Sequence, residues 1–172
     1  MVKLSIAFIA TVLLLGCTSK SEKDLMKAYT ENISYHKQLQ KTEKTQFYLD
    51  NETQVMLTAT YLYTPNYEKN DTRDEVFVIG LHLHNEADED INSDQYTLTL
   101  NGKTPSEIKT LQTDDERLKD LSFVTQWADY YLVTFPHVSS KRITLVFESE
   151  MYGKGELHFA KVAKYVLSKE VF

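Results

Sequence analysis

His82 and His84 stand two residues apart in an alternating apolar segment, so on a strand their imidazoles project to the same side. Two imidazoles at that spacing bind zinc or copper once a third ligand joins them. Asp88 or Asp90 nearby, or the more distant His137 or His158, would have to supply it. With no third ligand at short spacing, the plainer reading is a pair of histidines on the solvent face of a half-buried sheet. Asp88, Asp90, Asn92 and Asp94 alternate as calcium-loop ligands do, but Ser93 and Thr99 occupy the positions where that loop needs Gly and Glu. A solvated acidic loop fits them better. Ser106-Glu107-Ile108-Lys109 has the Ser-x-x-Lys spacing of an activated serine nucleophile, without the helix start and companion motifs that such chemistry uses. No Ser-His-Asp order, phosphate loop or paired-carboxylate site stands out. The sequence therefore assigns no catalytic residue and implies no cofactor.

Cys17 is the one cysteine of the chain, which excludes an internal disulfide. Lys3 precedes an apolar run over 4–15, broken only by Ser5 and Thr11, and Gly16 closes it. That is the layout of a secretory signal over 1–16. The run is about a dozen residues, whereas a membrane-crossing helix needs roughly 20. Leu14-Leu15-Gly16-Cys17 resembles the lipobox of bacterial lipoproteins. The resemblance implies that the Cys17 thiol carries diacylglycerol and that cleavage makes Cys17 the new N-terminus. Leu15 stands where that family more often has a small residue. Thr18 stands where an Asp would signal inner-membrane retention, so the resemblance points to the outer membrane of an envelope that has one. Two or more acyl chains at one residue make a lasting tether, where one chain alone holds only marginally. Glu68-Lys69-Asn70-Asp71-Thr72 has an acid two residues before Asn70 and a hydroxyl two after, the extended acceptor pattern of bacterial N-glycosylation.

Removing 1–16 leaves 156 of the 172 residues, one domain with room for a good core. The loss of Lys3 takes the formal net charge from −6 to −7. That balance argues against nucleic acid as a partner and against a surface lying on anionic lipid. Gly and Pro are scarce, while eleven Tyr and eight Phe suit pleated strands.

Residues 17–44 read as the lipidated tether and a helix. Ser21 and Asp24 start it in the manner of a capping box, and Leu25, Tyr29, Ile33, His36 and Leu39 form its apolar stripe. From 45 to 172 the period becomes two. Strands are expected over 46–49, 53–63, 75–85, 95–100, a return strand near Pro105, then 130–135, 142–148 and 156–166. Gly153 and Gly155 mark the last turn. In 75–85, Phe77, Ile79, Leu81 and Leu83 form the expected core face, opposite Val76, Val78, Gly80, His82 and His84. Asn101-Gly102 is the strongest hairpin signal, and Pro105 assigns the return strand to an edge. Residues 113–119 read as loop or a short helical turn, and 120–128 fit neither period. Among the surplus aromatics, Trp127 is expected in the core, and Tyr67 in a loop.

About eight short strands separated by turns imply a mainly β, antiparallel sandwich preceded by one N-terminal α-helix. Ala59-Thr60-Tyr61-Leu62, 96–103 and 127–136 resemble segments of small bacterial lipoproteins with an immunoglobulin-like β-sandwich. That resemblance implies fold and envelope location and carries over no active site. The expected function is a lipid-anchored, non-catalytic binding or assembly module. Cys17 would hold it to the membrane, and an envelope protein would be its partner, reached through loops 64–74 and 86–94 or a sheet edge. The competing expectation is a metal- or small-solute-binding lipoprotein that uses His82 and His84.

Overall fold

The structure, a computed structural model, describes Lys23, Asp24, Lys27, residues 38–65 and 71–84, Ile91, and residues 95–161. The chain divides into one unit over 1–33 and another over 34–172. In the first, Lys23, Asp24 and Lys27 have helical backbone and are exposed. The expected helix over 21–44 otherwise lies mostly outside the described residues, as do the leader and Cys17. Among the described residues no helix is long and apolar enough to cross a membrane.

The second unit is mainly β. Asp50 and Asn51 both adopt positive φ, 51° and 67°, and close a two-residue hairpin between β1 (Thr42–Leu49) and β2 (Glu52–Tyr61). Residues 42–44, expected at the helix end, are strand. Thr42 pairs with Thr60, and the two hydroxyls are 2.8 Å apart. There follow β3 (Glu75–Leu83), β4 (Tyr96–Leu100), β5 (Glu107–Leu111), β6 (Asp129–Phe135), β7 (Arg142–Ser149) and β8 (Gly153–Ala160). All pairings are antiparallel, in one sheet ordered β1-β2-β3-β6-β5 and a second ordered β4-β7-β8.

Asn101 and Gly102 do form the expected turn, with φ of 47° and 79°. It does not make a hairpin of β4 and β5. Only Leu100 and Lys103 bridge across it, and the Asn101 side-chain oxygen accepts from the Thr144 amide at 2.7 Å. The chain then crosses at Pro105 to the other sheet, where β5 pairs with β6 and forms an edge. At the C-terminal end, residues 150–152 make the turn, and Gly155 lies inside β8. A Cβ on Gly155 would stand 2.8 Å from Phe47 Cζ, so its bare backbone lets the edge strand β1 close over β8.

The facing sheets share one core. Phe77, fully buried, has ring centroids of Tyr61 at 4.7 Å, Phe159 at 5.2 Å and Phe135 at 5.9 Å. Phe47 and Phe147 meet across the sheets at 5.7 Å. The expected inner face of β3 holds, with Phe77, Ile79 and Leu81 buried and Leu83 packed against the core. The opposite face was expected to meet solvent. Instead Val78 is buried with Leu111, Leu118, Leu121 and Tyr130 in a second cluster. The connection over 112–128 lies across that face, its 3-10 turn Glu116–Leu118 capped by Asp115.

One end of the sandwich is fastened by Glu75, whose side chain is 1% exposed. Its carboxylate accepts from the Tyr61 hydroxyl, the Lys161 ammonium and, at 2.9 Å, the Val138 amide. It thereby joins β2 and β3 to the β6–β7 connection and to the residue after β8. Burial pushes the Tyr61 phenol well above the ordinary tyrosine value, and the Glu75 carboxylate raises it further. A phenol held neutral by the fold contributes its full stability below the unfolded tyrosine pKa of about 10 and loses it as pH rises further. Unfolding free energy should therefore fall above about pH 10. Urea titrations across that range should show a flatter decline for Tyr61→Phe, from a lower starting stability because its hydrogen bond to Glu75 is gone.

Candidate binding surface on the outer face of the larger sheet

Gly80 lies in the middle of β3, opposite Tyr130 in the register with β6. A Cβ on Gly80 would stand 2.7 Å from Thr58 Oγ1 and 2.8 Å from Tyr130 Cε1. The missing side chain is what allows the Tyr130 ring to lie against the outer face. From there the Tyr130 hydroxyl accepts from the Thr125 amide at 2.7 Å and stands 3.4 Å from the carbonyls of Phe123 and Thr125. His82 adds a second tie. Its Nδ1 is 2.8 Å from the Trp127 carbonyl, and since a carbonyl only accepts, Nδ1 carries the proton. Leu118 and Leu121 are buried beneath.

The loop fixed in this way turns apolar side chains outward. Phe123 is 53% exposed, Val124 40% and Trp127 63%. Trp127 was expected in the core. The structure places it outside, while Tyr61, Tyr130 and Tyr131 are buried. Phe123 has φ of 66°, a left-handed conformation rare for a bulky residue. Among the described residues, buried Ser122 Oγ and Thr125 Oγ1 have no hydrogen-bond partner. A buried group left so costs about 1–3 kcal/mol, and a left-handed non-glycine residue costs a similar amount. Exposed rings, backbone strain and unsatisfied hydroxyls within six residues mark a segment shaped by something other than stability.

Acidic side chains accompany it. Residues 112–129 hold five acids, Asp114, Asp115, Glu116, Asp120 and Asp129, and two bases. Both bases are paired within the segment, Arg117 with Asp115 at 2.7 Å and Lys119 with Glu116 at 2.9 Å. Hydrogen bonds from Arg117 hold the Asp115 carboxyl down at about 2.

The other sequence candidates fall elsewhere. Asn70, Asp88, Asp90, Asn92, Asp94 and Tyr67 lie outside the described residues, although Ile91 within the acidic loop is buried in the main core. His82 is half-buried and His84 exposed. His137 sits beyond the far end of β3, its Nδ1 3.0 Å from the Arg73 carbonyl. Seven residues of strand, roughly 23 Å, separate that end from His82. His158 lies on the second sheet, its Nδ1 3.2 Å from Thr144 Oγ1. Neither joins His82 and His84, and no group of three or more candidate metal ligands occurs among the described residues. Ser106 bonds to the Thr134 carbonyl and Lys109 pairs with Glu107, so the structure does not assemble them as a nucleophile and base.

A groove of about 530 Å³ opens between the ends of β1, β7 and β8. Several of its polar groups are bonded within the protein. Lys161 holds Glu75 and the Val138 carbonyl, Lys41 donates to the Tyr63 carbonyl, and His158 meets Thr144. Such mutual bonding fastens the open end of the sandwich and leaves the outer aromatic loop as the stronger candidate.

Comparison with protein-family models, with curated proteins and with solved structures finds no match. The surface therefore stands on its own geometry.

Two substitutions separate the support of this surface from its display. Gly80→Ala should cost about 1–3 kcal/mol, because the new methyl meets the Thr58 hydroxyl and the Tyr130 ring, side chains held by burial and hydrogen bonds. Phe123→Gly should leave unfolding free energy unchanged or raise it by up to about 1 kcal/mol, because glycine adopts the left-handed backbone without strain. Urea denaturation midpoints check both.

Proposed function

We propose that this protein is a lipid-anchored cell-envelope protein whose sandwich acts as a non-catalytic binding or assembly module. The observation that carries the binding reading is the outward set of Phe123, Val124 and Trp127 on a loop tied down by Tyr130 and His82. Exposed aromatic side chains on a rigid support make good interface anchors, since little conformational freedom is lost when they are covered. The anchor half of the reading rests on the Leu14-Leu15-Gly16-Cys17 resemblance. Confinement to a membrane raises the effective concentration of a partner, so modest contacts suffice. Outer-membrane residence rests on Thr18.

The immunoglobulin-like reading of the fold is supported by connectivity. With β1 set aside, β2-β3-β6-β5 facing β4-β7-β8 follows the ABED and CFG order of a constant-type immunoglobulin sandwich. On that reading β1 is an additional strand beside the first.

A second reading has one specific observation in its favour. With Nδ1–H given to the Trp127 carbonyl, His82 keeps Nε2 as its acceptor nitrogen, the arrangement common in metal-bound histidines. Metal affinity unchanged in a His82→Ala, His84→Ala double variant would end it.

The main reading is tested in living cells with a photo-crosslinking residue at position 124. A control carries it at position 156, on the smaller sheet, and each is repeated with Cys17→Ala. A discrete envelope protein should crosslink from position 124, and lose yield when the anchor is removed. Equal crosslinking from both positions, or none from 124, would overturn the assignment of this face. Mass analysis of the purified chain should find diacylglycerol on an N-terminal Cys17. An unmodified cysteine would overturn the anchor.

A further inference from the structure

We propose that a second copy of this chain covers the Phe123–Val124–Trp127 surface, the two copies meeting face to face about a two-fold axis. The inference rests on the reading of that surface as a binding face, and names its partner. Three observations carry it. The first is extent. Gln46, Met56 and His82 are neighbours in register across β1, β2 and β3, so their side chains share the outer face, with Gln46 and His82 about 10 Å apart. The Tyr48 hydroxyl donates to Gln46 Oε1 at 3.0 Å, and His82 holds Trp127 at the other end of that row. Tyr48 and Trp127 thus flank the half-buried Met56 on one face. Tyr48, Phe123 and Trp127 are each more than half exposed. That is on the order of 100 Å² per ring, and with Val124 and Met56 about 400 Å² in all. A standard interface covers about 800 Å² per partner, roughly two-thirds of it apolar in homodimers. The patch supplies most of that apolar share.

The second observation is charge. Residues 45–49, 53–58 and 121–128, which carry the patch, include no charged residue, in a chain that is 26% charged. Charges lie at its margin, as at the rim of an interface. Lys44 is the next residue along that face of β1. Asp115 and Glu116 are paired with Arg117 and Lys119, and Asp120 is engaged within the protein. Asp129 alternates with the buried Tyr131 and Val133 onto the inner face of β6. An uncharged centre offers nothing to select a charged partner and nothing to repel its own copy. The third observation is self-complementarity. Gln126, the exposed polar residue among the rings, carries both amide donors and an acceptor, so a copy of it satisfies it. Offset stacking likewise pairs a ring with an identical ring. On the anchor reading, copies held in one leaflet meet at raised effective concentration.

The net charge of −6 on each copy opposes association from a distance, and salt screens it. Self-association should therefore hold or strengthen as salt is added, the reverse of a contact between opposite charges. The test co-expresses two differently tagged full-length copies with a photo-crosslinking residue at position 48, across the patch from 124. The product should carry both tags, in cells and in isolated membranes, with yield equal or higher at high salt. The same residue at position 156, on the smaller sheet, should give no doubly tagged product. Phe123→Gly should lower the yield. Val124→Asp on both copies should cut it several-fold, and so should Val124→Lys on both. Co-expressing the Asp copy with the Lys copy should restore it, which also shows that both variants fold.

A yield unchanged by Val124→Asp or Phe123→Gly would overturn the proposal. So would a mixed pair that is not restored, a yield that falls with salt, or a product holding only lipid. The two readings fail separately. Crosslinking from 48 and 124 to a different envelope protein keeps the binding face and removes the second copy. No crosslink to any protein from either position removes both.

Discussion

The contact between Gly80 and Tyr130 organises the outer face of this molecule. A side chain at position 80 would fill the space that the Tyr130 ring occupies. Without that ring in place, its hydroxyl would not reach the Thr125 amide, and the loop over 121–128 would keep only the His82 tie to the sheet. The second cluster under the loop depends on the same ring, since Tyr130 is one of its five buried members. A missing Cβ in a strand thus leads, by packing and then by one hydroxyl, to the placement of Phe123, Val124 and Trp127 in solvent.

The inner core and the Glu75 fastening make the platform on which this loop sits. Aromatic rings from both sheets surround Phe77, and Glu75 ties the strand ends together where the sheets open. A buried carboxylate of this kind is costly unless every oxygen is satisfied, and here both oxygens are bonded. Losing one partner of a buried ion pair typically costs about 3–5 kcal/mol. The stability spent at the strained Phe123 and the unsatisfied Ser122 and Thr125 hydroxyls is affordable because the sandwich beneath is well packed.

Much of the sheet was legible in the sequence because alternation is a local property. The inner face of β3, the turn at Asn101-Gly102 and the edge position of β5 were all readable from residue type and spacing. The partner of β5 was not. Turn chemistry fixes a bend, whereas the switch to the other sheet depends on packing around β6 that no local pattern encodes. Gly155 read as a turn because its strand role depends on Phe47, more than a hundred residues away in sequence. The outer cluster was missed for a related reason. Val78 and Gly80 alternate as a solvent face should, and only the position of 112–128 buries them. Trp127 was misplaced because hydrophobicity predicts burial on average, and an exposed tryptophan is the informative exception. The available signal was the chain around it, apolar residues with neither strand nor helical period beside an excess of acids.

Tyr130 holds this loop in one place so that its aromatic residues face outward. Hydrogen exchange at the Thr125 amide tests it most directly. In the wild-type protein that amide should be protected, as the donor to the Tyr130 hydroxyl. In Tyr130→Phe it should exchange far faster, while the Val133 amide in the core of β6 keeps its protection. Fast exchange at Thr125 in the wild type, or protection that survives Tyr130→Phe, would contradict the account.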